Sequence, residues 1–429
     1  MKSPSVYRQV DVLVLGGGPS GVLAAIAVAR SRLNVLLVES QGCLGGSRTA
    51  TGVDTFYGFY TPGERVRRIV GGTAWEVVQR LKEGNAAFER PNTYGAGTGV
   101  TYDVERLKLL YEQMVVESGV TLLYHTYASR VLAKNGTVHG VVVANKSGLT
   151  VIRAKCYVDA TGDADIAARA GAPFEKSDTG QLQPLTSIFF LADVDILRAK
   201  EVKHDKLVAW MKEANASGGY HLPREDGSWH ATPHPGVIQA NMVRVAGVDP
   251  TDPFALTRAE IEGRKQCQEY ARFLRDRVPG FENAYLLKTS EHIGVRESRR
   301  ITGEYVLTED DVLGGAKFED AIACCAAPIE DHQAGAGTRW AYVQGDGYYH
   351  IPYRSLVPKG LTNLIVAGRC LSATHAAQAS ARNSAQCMAM GEAAGIAAQL
   401  CVESGIAFHA VDPADLSRRI LARDGVLVV

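Results

Sequence analysis

Apolar and polar stretches at the start of the chain predict a strand, a helix and a second strand. Residues 10–15 form a short, largely apolar stretch that ends at three glycines, as a buried parallel strand does. Small and aliphatic residues recur at helical spacing over residues 20–32, and residues 34–38 form another apolar stretch. These segments predict one β-α-β unit.

The hydrophobic period changes to two between residues 121 and 159. Strand patterns cover residues 129–133, 138–144 and 150–154, and Asn135-Gly136 and Lys146-Ser147-Gly148 supply the turns between them. This segment therefore predicts a three-stranded antiparallel meander. Residues 156–159 form a further short apolar stretch, which predicts another strand of the sheet.

The C-terminal pattern returns to that of the first domain. Residues 364–367 predict another buried strand, and small residues dominate a predicted helix from about residue 384 to 403. The fold class is thus α/β. Residues 1–172 and 345–429 are predicted to form one discontinuous domain, with a parallel sheet and an antiparallel β-meander. Residues 173–344 are predicted to form an inserted α+β substrate or cap domain.

A glycine-rich motif lies between the first predicted strand and the first helix. Residues 16–21 match G-x-G-x-x-G, and the acid Glu39 closes the second strand. Gly16 would allow the tight turn, Gly18 would let the backbone approach a pyrophosphate, and Gly21 would let helix and strand pack closely. Glu39 is expected to accept a hydrogen bond from a ribose hydroxyl. The motif predicts a dinucleotide and does not by itself separate NAD from FAD.

Two further segments favour FAD. Residues 44–49 follow soon after the acid, and Ala160-Thr161-Gly162-Asp163 ends the later strand. With these segments the chain resembles the flavoproteins that have two dinucleotide-binding domains, the glutathione-reductase-like fold in its fumarate-reductase-like branch. In those proteins a Gly-Gly-Ser segment and an Ala-Thr-Gly turn line FAD. The resemblance implies a Rossmann-like FAD-binding domain.

The chain more closely resembles the family known simply as FAD-dependent oxidoreductases. Three blocks carry this resemblance: Ile293–Tyr305, Ile351–Leu356, and Asn363–Arg369 continuing to Met390–Gly395. The resemblance implies FAD as the cofactor, with the small residues of the last helix near the flavin. The residues implied to bind FAD are Gly16, Gly18, Pro19, Ser20, Gly21, Glu39, Ser40, Gly45, Gly46, Ser47, Arg48, Ala160, Thr161, Gly162, Asp163, Gly368, Arg369, Gly391 and Ala393.

Four residues are candidates for the catalytic site: Arg296, Tyr353, His375 and Arg382. Fumarate-reductase-like proteins carry a histidine and an Arg-Asn-x-x-Asn-Ser pattern in a similar loop, of which this chain keeps Arg382-Asn383-Ser384. We expect the two arginines to orient a polar or anionic group, and His375 or Tyr353 to take a proton. A purely structural role for His375 stays open.

Several residues near these candidates are expected to be structural or are given no role. At least one of Arg296, Arg299 and Arg300 is expected to be an ion-pair partner of Glu297 or Glu304. Residues 329–332, Ile-Glu-Asp-His, stand where the family usually has Asp-Ile-His, and no function is transferred to them. The adjacent Cys324 and Cys325 are expected to be a pair of core thiols rather than a redox centre.

Composition narrows the classes of partner. Lysine plus arginine and aspartate plus glutamate are 46 each among 429 residues, so the net charge gives no sign of nucleic acid. The eight cysteines include no C-x-x-C, which leaves neither a zinc-site nor a disulfide pattern and favours the cytoplasm. Because no zinc-site spacing is present, we expect no metal. Because no stretch of ~20 apolar residues occurs, we expect no integral membrane segment.

The sequence thus predicts an enzyme that oxidises a small organic substrate by hydride transfer to flavin N5. Oxygen, a quinone or a carrier protein would then accept the electrons. One alternative is the reverse direction, reduction of an activated C=C bond. Another is a non-catalytic binding protein on the same fold, which predicts degraded nucleotide motifs, whereas these are intact. RNA modification is a third, and it would favour a basic face.

Overall fold

The computed structural model describes residues 6–64, 66–92, 96–332, 337–345 and 347–428. The strands are β1 (Val6–Leu15), β2 (Val35–Val38), β3 (Thr55–Phe56), β4 (Ala87–Pro91), β5 (Thr98–Tyr102), β6 (Thr121–Leu123), β7 (Tyr127–Lys134), β8 (Thr137–Asn145), β9 (Gly148–Asp159), β10 (Phe174–Glu175), β11 (Phe189–Ala192), β12 (Ser228–Ala231), β13 (Ile238–Asn241), β14 (Tyr285–Thr289), β15 (Arg300–Ile301), β16 (Ala321–Cys325), β17 (Ile329–His332), β18 (Thr338–Ala341), β19 (Tyr349–Pro352) and β20 (Leu364–Val366). The helices are α1 (Pro19–Ala29), α2 (Gly72–Glu83), α3 (Val104–Glu117), α4 (Asp165–Arg169), α5 (Ile196–Ala199), α6 (His204–Ala216), α7 (Pro253–Arg277), α8 (Glu309–Leu313), α9 (His375–Ala381), α10 (Ser384–Ser404) and α11 (Pro413–Leu421). Short 3-10 helices cover Gly46–Arg48, Tyr353–Ser355 and Phe408–Ala410.

The main sheet joins the parallel strands to the meander. Its order is β6-β2-β1-β9-β8-β7, and β1 is parallel to both β2 and β9. The sequence pattern suggested two strands over residues 150–159, whereas β9 is a single strand. Residues 148–152 of β9 pair with β8 and residues 157–159 pair with β20 along the same edge, so one long strand serves both halves of the sheet.

The long helix α10 packs directly against α1. A Cβ atom on Gly391 would lie 2.1 Å from the backbone oxygen of Ser20, and one on Gly395 would lie 2.4 Å from that of Ala24. Both helices are apolar on nearly every side because other elements of the first domain surround them. Within the described ranges, no helix combines the length and apolar character needed to cross a membrane.

The inserted domain has its own sheet and its own core. Its antiparallel sheet has the order β12-β13-β11-β14, and its hydrophobic core is drawn from residues between Leu185 and Ile293. Ile301, Leu307 and strand β16 belong instead to the first core. The hydrophobic cores therefore change over soon after Ile293, because the returning chain buries its apolar side chains in the first core, and the boundary at residue 344 stays a prediction.

Two local features of the structure follow directly from side-chain chemistry. Asp103 caps α3, since its carboxylate accepts the backbone N–H groups of Glu105 and Arg106. Cys324 and Cys325 are fully buried in β16, and burial raises the pKa of both thiols. A buried thiol with a raised pKa is a poor nucleophile, so this pair fits a packing role.

Candidate active site

One cavity of about 920 Å³ runs from the glycine-rich motif to the inserted domain. Gly16, Gly18 and Ser20 line its first end, at the N-terminus of α1. Trp229 and His230 of β12 line the other end. The cavity therefore lies between the two hydrophobic cores.

The three glycines of the motif have different neighbours. A Cβ on Gly16, whose φ is +96°, would lie 2.5 Å from the Ala160 oxygen, and one on Gly21 would lie 1.8 Å from the Gly16 oxygen. A Cβ on Gly18 would meet no atom within 4 Å. Gly18 also precedes α1, and no side chain caps that helix, so its first N–H groups are available to an anion in the cavity.

Glu39 is held in place at the end of β2. Its carboxylate accepts the Gly17 N–H at 2.6 Å through Oε2 and the Gln41 N–H at 2.7 Å through Oε1. The side chain of Glu39 is buried but lines the cavity together with Ser40. A carboxylate has about four lone-pair positions, so it retains capacity for a hydroxyl donor from a ligand.

A residue outside the expected set shapes the turn after β9. Asp159 is fully buried, and its carboxylate accepts the N–H groups of Thr161, Ile166 and Ala167 at 2.8–3.1 Å. Burial raises the pKa of Asp159 even though these hydrogen bonds oppose the shift. The turn at residues 160–163 is thereby fixed along the wall of the cavity.

Arg369 connects this turn to the block at residues 293–305. Its guanidinium contacts Asp163 at 2.8 Å and donates to the Ser298 hydroxyl at 3.0 Å. Arg299 pairs with Asp165 at 3.0 Å, and Arg300 forms an ion pair with Glu297. The expected structural ion pair among these arginines is therefore present.

Arg296 and Arg382 both line the cavity. Arg296 donates to the Pro184 carbonyl at 2.6 Å and Arg382 donates to Gln183 Oε1 at 2.9 Å, while the buried Nε of Arg382 has no hydrogen-bond partner. Burial lowers the pKa of both guanidiniums, that of Arg296 strongly. Because arginine stays charged in proteins, these shifts indicate two cations without adequate compensation.

Arg48 and Arg90 add two more cations to the cavity lining. Arg48 donates to the Thr55 carbonyl at 3.1 Å, and Arg90 donates to the hydroxyls of Thr101 and Thr55 at 2.8 and 3.1 Å. In the described part of the chain, no carboxylate lies within the 4.0 Å ion-pair distance of Arg48, Arg90, Arg296 or Arg382.

Glu330 and His332 of β17 complete this wall. His332 Nε2 lies 3.0 Å from Glu330 Oε1, and both residues line the cavity. Burial would raise the pKa of Glu330, but His332, Arg382 and Arg296 together lower it to about 2. Burial, followed by the charge of Arg296, lowers the pKa of His332 to about 3. At neutral pH this pair is therefore a carboxylate next to a neutral imidazole.

The comparison with known proteins gives the family. The model of the family described as FAD dependent oxidoreductase matches residues 11–420. The chain belongs to the FAD-dependent oxidoreductase family. It is an enzyme of the oxidoreductase class and its cofactor is FAD.

Relatives of this FAD-dependent oxidoreductase match it over different lengths. Thiamine thiazole synthase of Methanococcus aeolicus is 27% identical over 254 residues, which cover 55% of this chain and 86% of the synthase. Digeranylgeranylglycerophospholipid reductase of Methanoculleus marisnigri is 31% identical over 177 residues, which cover 38% of this chain and 41% of the reductase. Dihydrolipoyl dehydrogenase of Trypanosoma brucei brucei is 32% identical, over 28% of this chain and 22% of that enzyme.

A solved structure supports the fold. A triple mutant of the flavin-dependent brominase Bmp2 superimposes with a TM-score of 0.50 and 14% identity, covering 96% of this chain and 84% of the brominase. This likeness supports the Rossmann-type architecture of this FAD-dependent oxidoreductase.

The cavity of this FAD-dependent oxidoreductase fits the cofactor of its family. The open position at Gly18 and the uncapped N-terminus of α1 suit a pyrophosphate, and Glu39 suits a ribose hydroxyl. Most residues implied to bind FAD do line the cavity: Gly16, Gly18, Pro19, Ser20, Glu39, Ser40, Gly46, Ser47, Arg48, Ala160, Thr161, Gly162, Asp163, Gly368 and Arg369.

Four residues implied to bind FAD lie outside the cavity lining. Gly21 is needed for packing against Gly16, and Gly45 donates its N–H to the Gly17 carbonyl at 2.8 Å. Gly391 faces α1 and Ala393 is buried in the first core, and their contact with flavin stays a prediction. The small side chains of α10 serve helix packing because a larger residue would collide with the backbone of α1.

Two candidate catalytic residues, Tyr353 and His375, also lie outside the cavity lining, and their part in catalysis stays a prediction. Tyr353 is 2% exposed, and its hydroxyl donates to the Phe408 carbonyl at 2.9 Å. His375 places Nδ1 2.8 Å from Glu297 and Nε2 3.0 Å from Asp331. These hydrogen bonds, first to Asp331 and then to Glu297, raise the pKa of His375 to about 9. A protonated imidazole between two carboxylates is a poor proton acceptor at neutral pH.

The structure adds cavity residues that the sequence did not single out. Tyr57 lines the cavity with a buried hydroxyl that has no hydrogen-bond partner among the residues that the structure describes. Glu330 and His332 fall in the segment that was noted for departing from the family pattern, so that departure was their only signal. His230 lies on β12 and bonds to Asp54 across 176 residues of sequence, and no local pattern predicts this pairing.

Proposed function

We propose that this protein oxidises a small organic anion that binds between the FAD cradle and the inserted domain. The observation that carries the proposal is the set of four guanidiniums on the cavity, those of Arg48, Arg90, Arg296 and Arg382. The carboxylates that line the cavity are those of Glu39, Asp163, Asp165, Glu260 and Glu330, and among the described residues none of them forms an ion pair with these four guanidiniums. Four guanidiniums without a carboxylate partner favour a negatively charged substrate.

The roles of the residues follow from their geometry. When bound, FAD supplies the acceptor for a hydride at flavin N5. Arg296 and Arg382 hold the anionic group of the substrate, and the unpartnered Nε of Arg382 donates to it. Tyr57 contributes a hydrogen-bond donor, since burial raises the pKa of its hydroxyl well above the usual value and keeps it protonated.

The inserted domain is the proposed cover of the reacting centre. Trp229 of β12, which packs against the core of the inserted domain, and Trp340 of β18 are large side chains that line the cavity. Their bulk reduces the water that reaches the arginines, which strengthens the attraction between these cations and a bound anion.

Anaerobic mixing of the purified FAD-loaded protein with a panel of small acids tests the proposal. The panel contains 2-hydroxy, 2-amino and saturated carboxylic acids, with the corresponding amides as neutral controls. We expect at least one acid, and not its amide, to remove the flavin absorption band. Equal reduction by acids and amides would contradict the anionic substrate.

Variants and the reverse reaction complete this experiment. The Arg382→Lys variant is expected to keep FAD but lose about 100-fold or more in reduction rate, because an ammonium does not reproduce the planar fork of guanidinium. If unsaturated acids oxidise the dithionite-reduced protein while no acid reduces the oxidised one, the enzyme works as a C=C reductase instead. Oxygen and a soluble quinone, added after reduction, identify the electron acceptor.

A further inference from the structure

A histidine–carboxylate pair lies at the end of the cavity near the inserted domain. His230 Nε2 is 2.7 Å from Asp54 Oδ1. Asp54 directly precedes β3 of the first domain and is fully buried, whereas His230 lies on β12 and lines the cavity. The pair therefore joins the two domains at the wall of the proposed substrate site.

The hydrogen bond determines which nitrogen of His230 is free. An ionised carboxylate only accepts hydrogen bonds, so the hydrogen between the two groups belongs to Nε2. A neutral imidazole with hydrogen on Nε2 carries a lone pair on Nδ1. Among the described residues, none forms a hydrogen bond with Nδ1 of His230, so this lone pair is available to a molecule in the cavity.

The other histidines near the cavity differ from His230 in their partners. His332 has both ring nitrogens engaged, one by Glu330 and one by the Thr338 hydroxyl. His375 has a carboxylate on each nitrogen. His292 places Nδ1 near the Thr51 hydroxyl and the Ile293 carbonyl, with no carboxylate partner among the described residues. His230 thus combines a buried carboxylate on one nitrogen with a free second nitrogen.

The surroundings of Asp54 suit stabilisation of a cation. Its Oδ2 atom is buried and has no hydrogen-bond partner within the described part of the chain, and Oδ1 also accepts from the Thr55 hydroxyl at 3.3 Å. Arg90 on β4 donates to the Thr55 hydroxyl, and Arg48, at the end of the 3-10 helix Gly46–Arg48, donates to the Thr55 carbonyl. The two cations next to Asp54 are therefore bonded to hydroxyl or carbonyl groups rather than to carboxylates. A buried carboxylate with spare capacity stabilises positive charge that develops on the bonded imidazole.

We propose that His230 is the proton acceptor of the reaction and that Asp54 is its positioning residue. This inference rests on the proposed function. Oxidation of a C–H bond beside an O–H or N–H group removes a hydride, which FAD takes, and a proton. The O–H or N–H bond breaks, the proton forms a bond with His230 Nδ1, and its electron pair becomes the second bond to carbon. The imidazolium then loses this proton to water.

The Asp54→Asn variant separates this role from a simple interdomain contact. Asparagine retains a hydrogen bond to His230, but its amide donor favours the imidazole tautomer that has the hydrogen on Nδ1. We expect FAD content and thermal stability close to those of the native holoprotein. With the panel acid that reduces the native protein fastest, flavin reduction should slow by at least about 100-fold.

A second variant and a matched control complete the test. His230→Ala should lose reduction to a similar extent, and added imidazole should restore part of it. His234→Ala is the control because His234 pairs with Asp103 at 3.1 Å, likewise joining the inserted domain to the first domain, but lies outside the cavity lining. It should reduce at the native rate. Native reduction rates in Asp54→Asn would overturn the proposal.

A measurement without substrate distinguishes failure of this inference from failure of the proposed function. The ¹⁵N spectrum of the holoprotein labelled in histidine should assign His230 as the tautomer with the hydrogen on Nε2, and Asp54→Asn should shift it toward the other tautomer. A hydrogen on Nδ1 of native His230 would overturn the inference whatever the panel shows. If this spectrum is as expected and no panel acid reduces the protein, the proposed function fails, and the inference that rests on it fails with it.

Discussion

At the scale of single residues, the glycines of the first motif separate folding from cofactor binding. Gly16 and Gly21 are required by backbone contacts, because a Cβ at either position would overlap a carbonyl oxygen. Gly18 has φ −66°, which any residue adopts, and open space around the position of a Cβ. A side chain at Gly18 would therefore occupy the cavity rather than the protein core.

Replacing Gly18 by leucine is expected to abolish FAD binding while the protein still folds. The leucine side chain would fill the space in front of the N-terminus of α1, and the change at the helix start should cost at most about 1 kcal/mol. Flavin absorbance per protein and the unfolding temperature of the apoprotein measure the two effects.

Gly21→Ala is the matched control for this substitution. Its Cβ would meet the Gly16 oxygen at 1.8 Å, so the loss should appear first in the stability of the apoprotein. Full FAD occupancy in Gly18→Leu would show that the cavity in front of α1 is not the pyrophosphate site.

At the scale of elements, the contact between α1 and α10 explains the composition of the last long helix. Its small residues suggested a surface close to flavin, but Gly391 and Gly395 face the backbone of α1. The sequence shows that α10 has mostly small side chains. It does not show what packs against them, which in the structure is the backbone of α1.

Gly391→Ala tests this packing. The added methyl group would lie 2.1 Å from the Ser20 oxygen, so the helices must separate, at a cost of about 1–3 kcal/mol. Chemical denaturation of the apoprotein should show this loss. Gly180→Ala is the control, because a Cβ at that position would meet no atom within 4 Å. If Gly391→Ala weakened FAD binding without destabilising the apoprotein, the result would instead support a direct contact between α10 and flavin.

At the scale of the whole molecule, His375 joins three segments that are distant in sequence. The imidazole at the start of α9 lies between Glu297, which follows the inserted domain, and Asp331 of β17. Glu297 is also the partner of Arg300 and accepts the Gln183 N–H at 3.2 Å. This network fixes the return of the chain from the inserted domain into the first domain.

The network predicts a pH-dependent stability. The pKa of His375 rises from its ordinary value of 6.5 to about 9 on folding, so the folded protein binds the proton more tightly. The stabilisation, up to roughly 3 kcal/mol, is therefore fully present below pH 6.5 and is lost as the pH rises toward 9. Unfolding temperatures measured from pH 6 to 10 should fall more steeply for the native protein than for His375→Ala. Parallel curves for the two proteins would contradict the assignment of this ion network.

The sequence alone determined the β-α-β unit, the glycine motif with Glu39, the meander and the family. Each of these depends on residues that are close together in the chain, such as the apolar period of a strand or the residues of a tight turn, and local patterns carry that information. The segment at residues 44–49 and the turn at residues 160–163 favoured FAD, because they follow the glycine motif in the same order as in the FAD-binding proteins that the chain resembles.

Which of the candidate catalytic residues line the cavity depends on the tertiary structure and could not be predicted from the sequence. Tyr353 donates to the Phe408 carbonyl, and His375 lies between two carboxylates, so neither side chain lines the cavity. Asp54 and His230 have no distinguishing local pattern, yet they form a hydrogen bond across 176 residues. The physical reason is that local periodicity records which face of an element is apolar and does not record what covers that face. The partners of a buried polar side chain are chosen by the packing of distant segments.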